Sequence, residues 1–312
     1  MLVKVLFKKV YYHFSNIELF NFFATDGVDL EGILFWPEEK KNSTKTAWIH
    51  VHGMNDFATS ERFLDKVRDV SLKNNIAFFN FGNRGMGHIN IFRKFEKKTV
   101  KYLHIGTSLE RFEHCIYDIE GAINQLKSLG FDNFVLSGHS TGCQKIMYYQ
   151  SKKNNPAVKA LILLSPVDDV TFDIKELGKK FKPAFSLAKK LVKSGRGSEI
   201  LPFKYSPEYW SAHRFYSIYK PNSVEGDLLN YTMHLKILKR IKCPILSIIA
   251  AKEQFLAEPA EIMMEKINVM TVNEFSRGVV LHKGEHCFEG ADIELEKSIQ
   301  NWIKKLRMKR LV

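Results

Sequence analysis

The sequence predicts an α/β fold with a mostly parallel central sheet flanked by helices. Three observations carry this. Short apolar runs alternate with amphipathic helical patterns along most of the chain. Residues 76–81 (Ile-Ala-Phe-Phe-Asn-Phe) are almost continuously apolar, as in a strand covered on both faces. The third is Gly138-His139-Ser140-Thr141-Gly142, a G-x-S-x-G between an apolar run and a helical one. In that context the motif describes a sharp strand-to-helix turn that lifts the serine Oγ clear of the backbone.

The elements follow in order. Residues 18–24 and 30–35 read as strands around Thr25-Asp26-Gly27, because Asp-Gly between apolar runs signals a hairpin. Residues 46–51 form a third strand, ending in His52-Gly53-Met54-Asn55. A helix is expected over 57–72, with Phe63, Val67 and Val70 on one side. The strand at 76–81 runs into the glycine-rich loop Gly82-Asn83-Arg84-Gly85-Met86-Gly87. This loop lacks the Lys-Ser/Thr of a phosphate loop and the spacing of a dinucleotide fingerprint. A long helix is expected over 108–129, with Phe112, Cys115, Ile119, Ile123 and Leu126 at helical spacing, Ser108 as N-cap and Gly130 as stop. The elbow strand (134–138) and helix (141–150) come next, then strands at 160–164 and 244–251. Residues 270–275 with 278–281 are expected to make the last strand, and 293–308 a closing amphipathic helix.

One stretch breaks the rhythm. Residues 168–242 lie between two sheet strands and far exceed an ordinary connection. They interleave Lys175, Lys179, Lys180, Lys182, Lys189, Lys190, Lys193 and Arg196 with Phe172, Phe181, Phe185 and Leu191. The expected organisation is therefore a core of residues 1–167 and 243–312, with a helical cap or lid of residues 168–242 inserted after the sixth strand.

Composition sets the outer limits. A chain of 312 residues with 45% hydrophobic content can bury a sizeable core, which excludes a disordered chain. Its net charge of +13 favours anionic partners in general, but no nucleic-acid-binding motif is present and none is expected as a partner. Cys115, Cys143, Cys243 and Cys287 are scattered without metal-ligand spacing, so they read as reduced thiols of a cytoplasmic protein. Residues 1–9 have no uninterrupted apolar core and no small-residue cleavage site, so no signal peptide is expected there. No stretch approaches the roughly 18 consecutive apolar residues of a spanning helix, leaving peripheral membrane contact as the one membrane role to consider. No metal and no cofactor are expected.

A serine hydroxyl needs a base within hydrogen-bond reach, an acid to orient that base, and N–H donors for the oxyanion. In this architecture the chain order is serine, acid, histidine. His286, in Lys283-Gly284-Glu285-His286-Cys287-Phe288, follows the last strand at the sheet edge that carries the elbow. His282 is its rival, at the tip of that strand. The acid should follow the preceding strand, which offers Glu253, with Asp168 one strand earlier as the alternative. The oxyanion donors should be the N–H groups of Thr141, directly after the nucleophile, and Met54, where Gly53 gives the backbone room to turn. His52 should brace its loop rather than catalyse. Arg84 is a candidate for a substrate carboxylate, although an arginine's five donors also suit it to tying loops together. His139 is a further candidate substrate contact. Cys143 reads as buried packing, and Cys287 lacks elbow geometry.

The chain resembles the serine α/β-hydrolases of the esterase/lipase type over essentially its whole length, on the elbow, His52-Gly53 and His286 in that order. Gly138-His139-Ser140-Thr141-Gly142 with Cys143-Gln144, Asn83-Arg84-Gly85 and Tyr117-Asp118-Ile119 are similar to the siderophore-ester-hydrolase-like branch. Glu253, where aspartate is usual, departs from the family pattern. The resemblance implies the α/β-hydrolase fold and hydrolysis of an ester through an acyl-enzyme on Ser140. Carboxylic esters of small or medium-sized substrates come first, thioesters next and amides last. The basic, aromatic insertion adds the expectation of a negatively charged substrate. The alternatives are an acyltransferase using the same acyl-enzyme and a catalytically silent binding protein on the same fold.

Overall fold

A computed structural model describes residues 13–14, 16–38, 45–58, 61–97, 99–206 and 208–312. The expectation for residues 1–9 lies outside them. Eleven strands and eight α-helices are present among the described residues. The antiparallel start consists of β1 (His13–Phe14), β2 (Ile17–Phe23) and β3 (Asp29–Phe35). Asp26 and Gly27 form the expected turn, with Gly27 at φ +90° and its amide donating to the Ala24 carbonyl. Then come β4 (Thr46–Val51), α1 (Leu64–Lys73) and β5 (Ala77–Phe81). A separate antiparallel hairpin follows, β6 (Ile91–Glu96) with β7 (Thr99–His104), which the sequence did not announce. The remaining core elements are α2 (Cys115–Ser128), β8 (Asn133–His139), α3 (Thr141–Lys153), β9 (Val158–Leu164), β10 (Ile245–Ala250), α7 (Ala260–Met270), β11 (Arg277–Leu281) and α8 (Asp292–Met308).

The main sheet runs β1-β2-β3-β5-β4-β8-β9-β10-β11, with β5 through β11 parallel. Alternation along each strand divides the core into two layers. On β4, Ala47, Ile49 and Val51 pack with residues of α2, α3 and α7, whereas Trp48 packs with α1 and α8. The chain passes from β4 to β5 on one side and returns to β8 on the other. This opens a topological switch point at the carboxyl ends of β4 and β8, where open α/β sheets place their sites. His52-Gly53 and Ser140 sit there.

Three expectations are corrected. The helix expected over 57–72 is α1, which begins only at Leu64. Residues 270–275 are not strand: α7 extends to Met270, and only Arg277–Leu281 joins the sheet. The helix expected from Ser108 begins with a 3-10 turn at Phe112–His114. Residues 106 and 107 are instead tied to the glycine-rich loop, through Gly106 N–H to Arg84 O and Thr107 N–H to Gly87 O, and Ser108 N–H donates to His88 O just beyond it.

The long segment after β9 holds α4 (Asp169–Leu177), α5 (Phe181–Lys193) and α6 (Ala212–Tyr219). Helices α5 and α6 share their own apolar cluster of Ala184, Ala188, Leu191, Trp210, Phe215 and Ile218. Leu229, Tyr231, Leu235, Leu238 and Ile241, later in the same segment, pack into the main core instead.

Candidate active site

Ser140 occupies the turn between β8 and α3 at φ +52°, ψ −126°, a conformation that a non-glycine residue adopts only when its surroundings hold it there. Close backbone passage makes the turn possible. A Cβ on Gly138 would fall 2.2 Å from the Gly142 carbonyl oxygen, and one on Gly142 would fall 2.1 Å from that of Val51. The Ser140 amide donates to Leu164 O at 2.9 Å, tying the turn to β9. The loop after β4 passes against the serine, so that a Cβ on Gly53 would lie 3.0 Å from Ser140 Cβ and 3.6 Å from its Oγ. Among the described residues, the backbone amides of Met54 and Thr141 donate to no protein acceptor.

His52 braces its loop as expected. Its Nδ1 lies 2.9 Å from Gly53 O, and its Nε2 accepts from the Asn83 amide at 3.0 Å. Full burial and the nearby Lys145 ammonium push its pKa down to about 3, so the ring is neutral. Asn83 passes the brace on, accepting from Lys145 Nζ and from the Gly85 amide.

His286 lies in the loop after β11, and Glu253 in the loop after β10. The Nδ1 of His286 is 2.9 Å from both carboxylate oxygens of Glu253. Although burial opposes ionisation of Glu253, pairing with His286 holds its pKa below the usual glutamate value. Burial lowers the pKa of His286, with a nearby positive charge on His139 adding to the effect and Glu253 opposing it. The His286 amide donates to Gln254 Oε1 at 2.8 Å. Its carbonyl oxygen accepts from Ser165 Oγ at 2.8 Å and lies 3.0 Å from His139 Nε2. Edge-on contact with Phe255 fixes the ring plane. His282 presents its amide to Glu294 Oε2 and has no part in this arrangement.

Three further candidates have their side chains engaged by other protein groups. Asp168 caps α4, accepting from the amide and hydroxyl of Thr171 and from the Tyr231 amide, so its carboxylate is spent on helix and chain-return contacts. Arg84 is engaged by the carboxylates of Asp118 and Asp26 with a side chain only 3% exposed, and it ties the glycine-rich loop to the Asp26-Gly27 turn and to α2. His139 points inward. Its Nδ1 forms an ion pair with Glu61, its ring packs on Phe63, and it is buried. Burial disfavours its charge, but the Glu61 carboxylate more than offsets this and raises its pKa above the ordinary imidazole value. Glu61 and Ser165 are contributors that the sequence did not single out, since a lone Glu in a loop and a Ser after a strand carry no pattern. Asp56, Glu61 and His139 place one ligand-type atom each within 4.8 Å of one another.

Residues 99–311 match the family described as "Protein of unknown function (DUF1749)". The chain belongs to that α/β-hydrolase-like family. No functionally curated protein is similar to it in sequence. Solved structures share the fold. The ferulic acid-bound esterase Est1E of Butyrivibrio proteoclasticus superposes with a TM-score of 0.64 at 16% identity, covering 91% of this chain and 98% of that one. The siderophore hydrolase EstB of Aspergillus fumigatus gives 0.64 at 13% identity and covers 100% of both chains. The monoacylglycerol lipase of Paleococcus ferrophilus gives 0.58 at 16% identity, covering 88% of this chain and 97% of that one. At these identities the likeness concerns the fold.

Proposed function

We propose that the chain is a serine hydrolase that cleaves carboxylic esters, and secondarily thioesters, through an acyl-enzyme on Ser140. The observation that carries this reading is His286 Nδ1 lying 2.9 Å from both oxygens of Glu253, on the sheet edge that carries the strained Ser140 turn. In the mechanism, His286 Nε2 takes the proton as Ser140 Oγ attacks the acyl carbonyl. Glu253 fixes the tautomer with the proton on Nδ1 and stabilises the imidazolium as it forms. The open amides of Met54 and Thr141 stabilise the tetrahedral oxyanion. His286 returns the proton to the leaving oxygen and then activates the water that frees the acyl group. That esterases and lipases share the fold supports the ester class.

Helices α4 to α6 act as the cap in this reading, with Met54 packed against their cluster. The narrow cleft beside Met54 and Gln144 is lined by Asp168, Asp169 and Glu225, not by lysines. The deciding experiment is mass spectrometry of intact protein treated with a fluorophosphonate, beside Ser140→Ala. A single adduct mapping to Ser140 and absent from the variant is expected. Well-folded protein that takes no label would overturn the reading.

A further inference from the structure

His286 is held at its ring by Glu253, but its main chain is held by a second set of groups. Its carbonyl oxygen lies 3.0 Å from His139 Nε2 and accepts from Ser165 Oγ. His139 immediately precedes Ser140, so one residue touches both the nucleophile, through the peptide bond, and the base, through a hydrogen bond. Behind His139, Glu61 pairs with its Nδ1. The side chains of both are only 2% exposed. Glu61 also lies 3.4 Å from His50 Nε2, and the Nδ1 of His50 is 2.8 Å from Ser137 Oγ on β8. The rings of His139 and His286 are 4.7 Å apart between centroids.

We propose that Glu61 and His139 are positioning residues for His286, acting through its main-chain carbonyl and through the charge that the pair places beside its ring. The proposal rests on the serine-hydrolase reading for its catalytic consequence. The physical argument has two parts. The loop after β11 has no regular hydrogen-bond ladder of its own, so the carbonyl contacts fix where the imidazole stands relative to Ser140. A misplacement of about 1 Å at such a centre costs on the order of a hundredfold in rate. A charged donor also makes a shorter and stronger bond to a carbonyl than a neutral one, so His139 holds the loop best while Glu61 keeps it protonated.

The charges facing His286 are Glu253 from the loop after β10, His139 from the end of β8 and Glu61 behind it. The neighbouring Glu285 is engaged by Gln254 Nε2. His139 itself faces Glu61, Asp56 and His286. With Glu61 neutral, buried His139 loses its proton. The positive charge nearest His286 disappears, and so does a more distant negative one. His286 should then protonate more easily.

The deciding variant is Glu61→Gln, which keeps size and hydrogen bonding. His139→Gln would strand a buried carboxylate, so it is made only together with Glu61→Gln. Two readouts are taken: kcat and KM per Ser140 labelled by fluorophosphonate across pH, and the His286 titration by NMR of histidine-labelled protein. The expected result for Glu61→Gln is a fall in kcat per labelled site on the order of tenfold or more, KM within about twofold, and an upward shift of the His286 midpoint. The double variant should show the same shift. An unmoved His286 midpoint with unchanged kcat per labelled site, whatever happens to thermal stability, would overturn the proposal and leave the pair a purely structural contact. If wild-type protein takes no label, the hydrolase reading fails, while the NMR titration still decides whether Glu61 governs the state of His286.

Discussion

Glu253 reaches His286 with one methylene more than the aspartate that usually occupies this place, and its carboxylate spans Nδ1 symmetrically at 2.9 Å. Glu253→Gln should therefore cost about 10³–10⁴ in kcat, because a neutral amide no longer selects the tautomer that leaves Nε2 free. Glu253→Asp should fall between the two, limited by reach; equal activity of the Gln variant and wild type would remove Glu253 from the mechanism. The pH dependence has a definite sign. In the proposed mechanism His286 works as a base when deprotonated, and its pKa is pushed below the usual 6.5 because burial and His139 outweigh Glu253. Activity should thus persist into mildly acidic solution, with the acid limb of kcat/KM centred below 6.5. Over that range Glu253 stays ionised, its own pKa being depressed. A limb centred above 6.5 would contradict the arrangement.

The nucleophile turn is an element defined by glycines as much as by serine. Gly142→Ala would drive a methyl into the Val51 carbonyl and cost on the order of 1–3 kcal/mol. It should lower the melting temperature and abolish labelling of Ser140, whereas Gly130→Ala, with nothing within 4 Å, should leave labelling intact despite its φ of +96°. This turn was legible in the sequence because its geometry demands small residues at fixed spacing, and β4, β5, β8, β9 and β10 because two-sided burial demands apolar runs. The β6–β7 hairpin was not legible. Its strands are largely exposed with no apolar face of their own, and its turn, at Lys97 with φ +38°, lacks the usual Asn-Gly or Asp-Gly. The false strand at 270–275 has a different cause: Met270, Thr271, Val272 and Asn273 alternate apolar and polar over only four residues, too few to distinguish a helix end from a strand. His286 and Glu253 could be read because strand order says where they must stand. Glu61 could not, because its value depends wholly on a partner from another part of the chain.

At the scale of the whole molecule, the lysines of the inserted segment and the carboxylates beneath it are separated. Lys182, Lys189, Lys190 and Lys193 lie on the exposed side of α5, opposite buried Ala184, Ala188 and Leu191. Carboxylates occupy the inner cleft by Met54, where burial and neighbouring acids raise the pKa of Asp169 well above the usual range. Exposed charges beyond about 8–10 Å of a reaction centre are screened at physiological salt. Replacing Lys189, Lys190 and Lys193 by Glu should accordingly leave kcat and KM for a neutral ester within about twofold. A large rise in KM would restore the lysines to substrate capture. Sheet order has a final consequence for biogenesis. The serine turn is complete once β9 is paired, but Glu253 and His286 belong to the loops after β10 and β11, at the far edge of the sheet. If Ser140 is the nucleophile as proposed, a nascent chain should carry an unactivated hydroxyl until its last strands dock. By the same logic, capture of a fluorophosphonate during refolding would time the docking of β11, not the earlier closure of the turn.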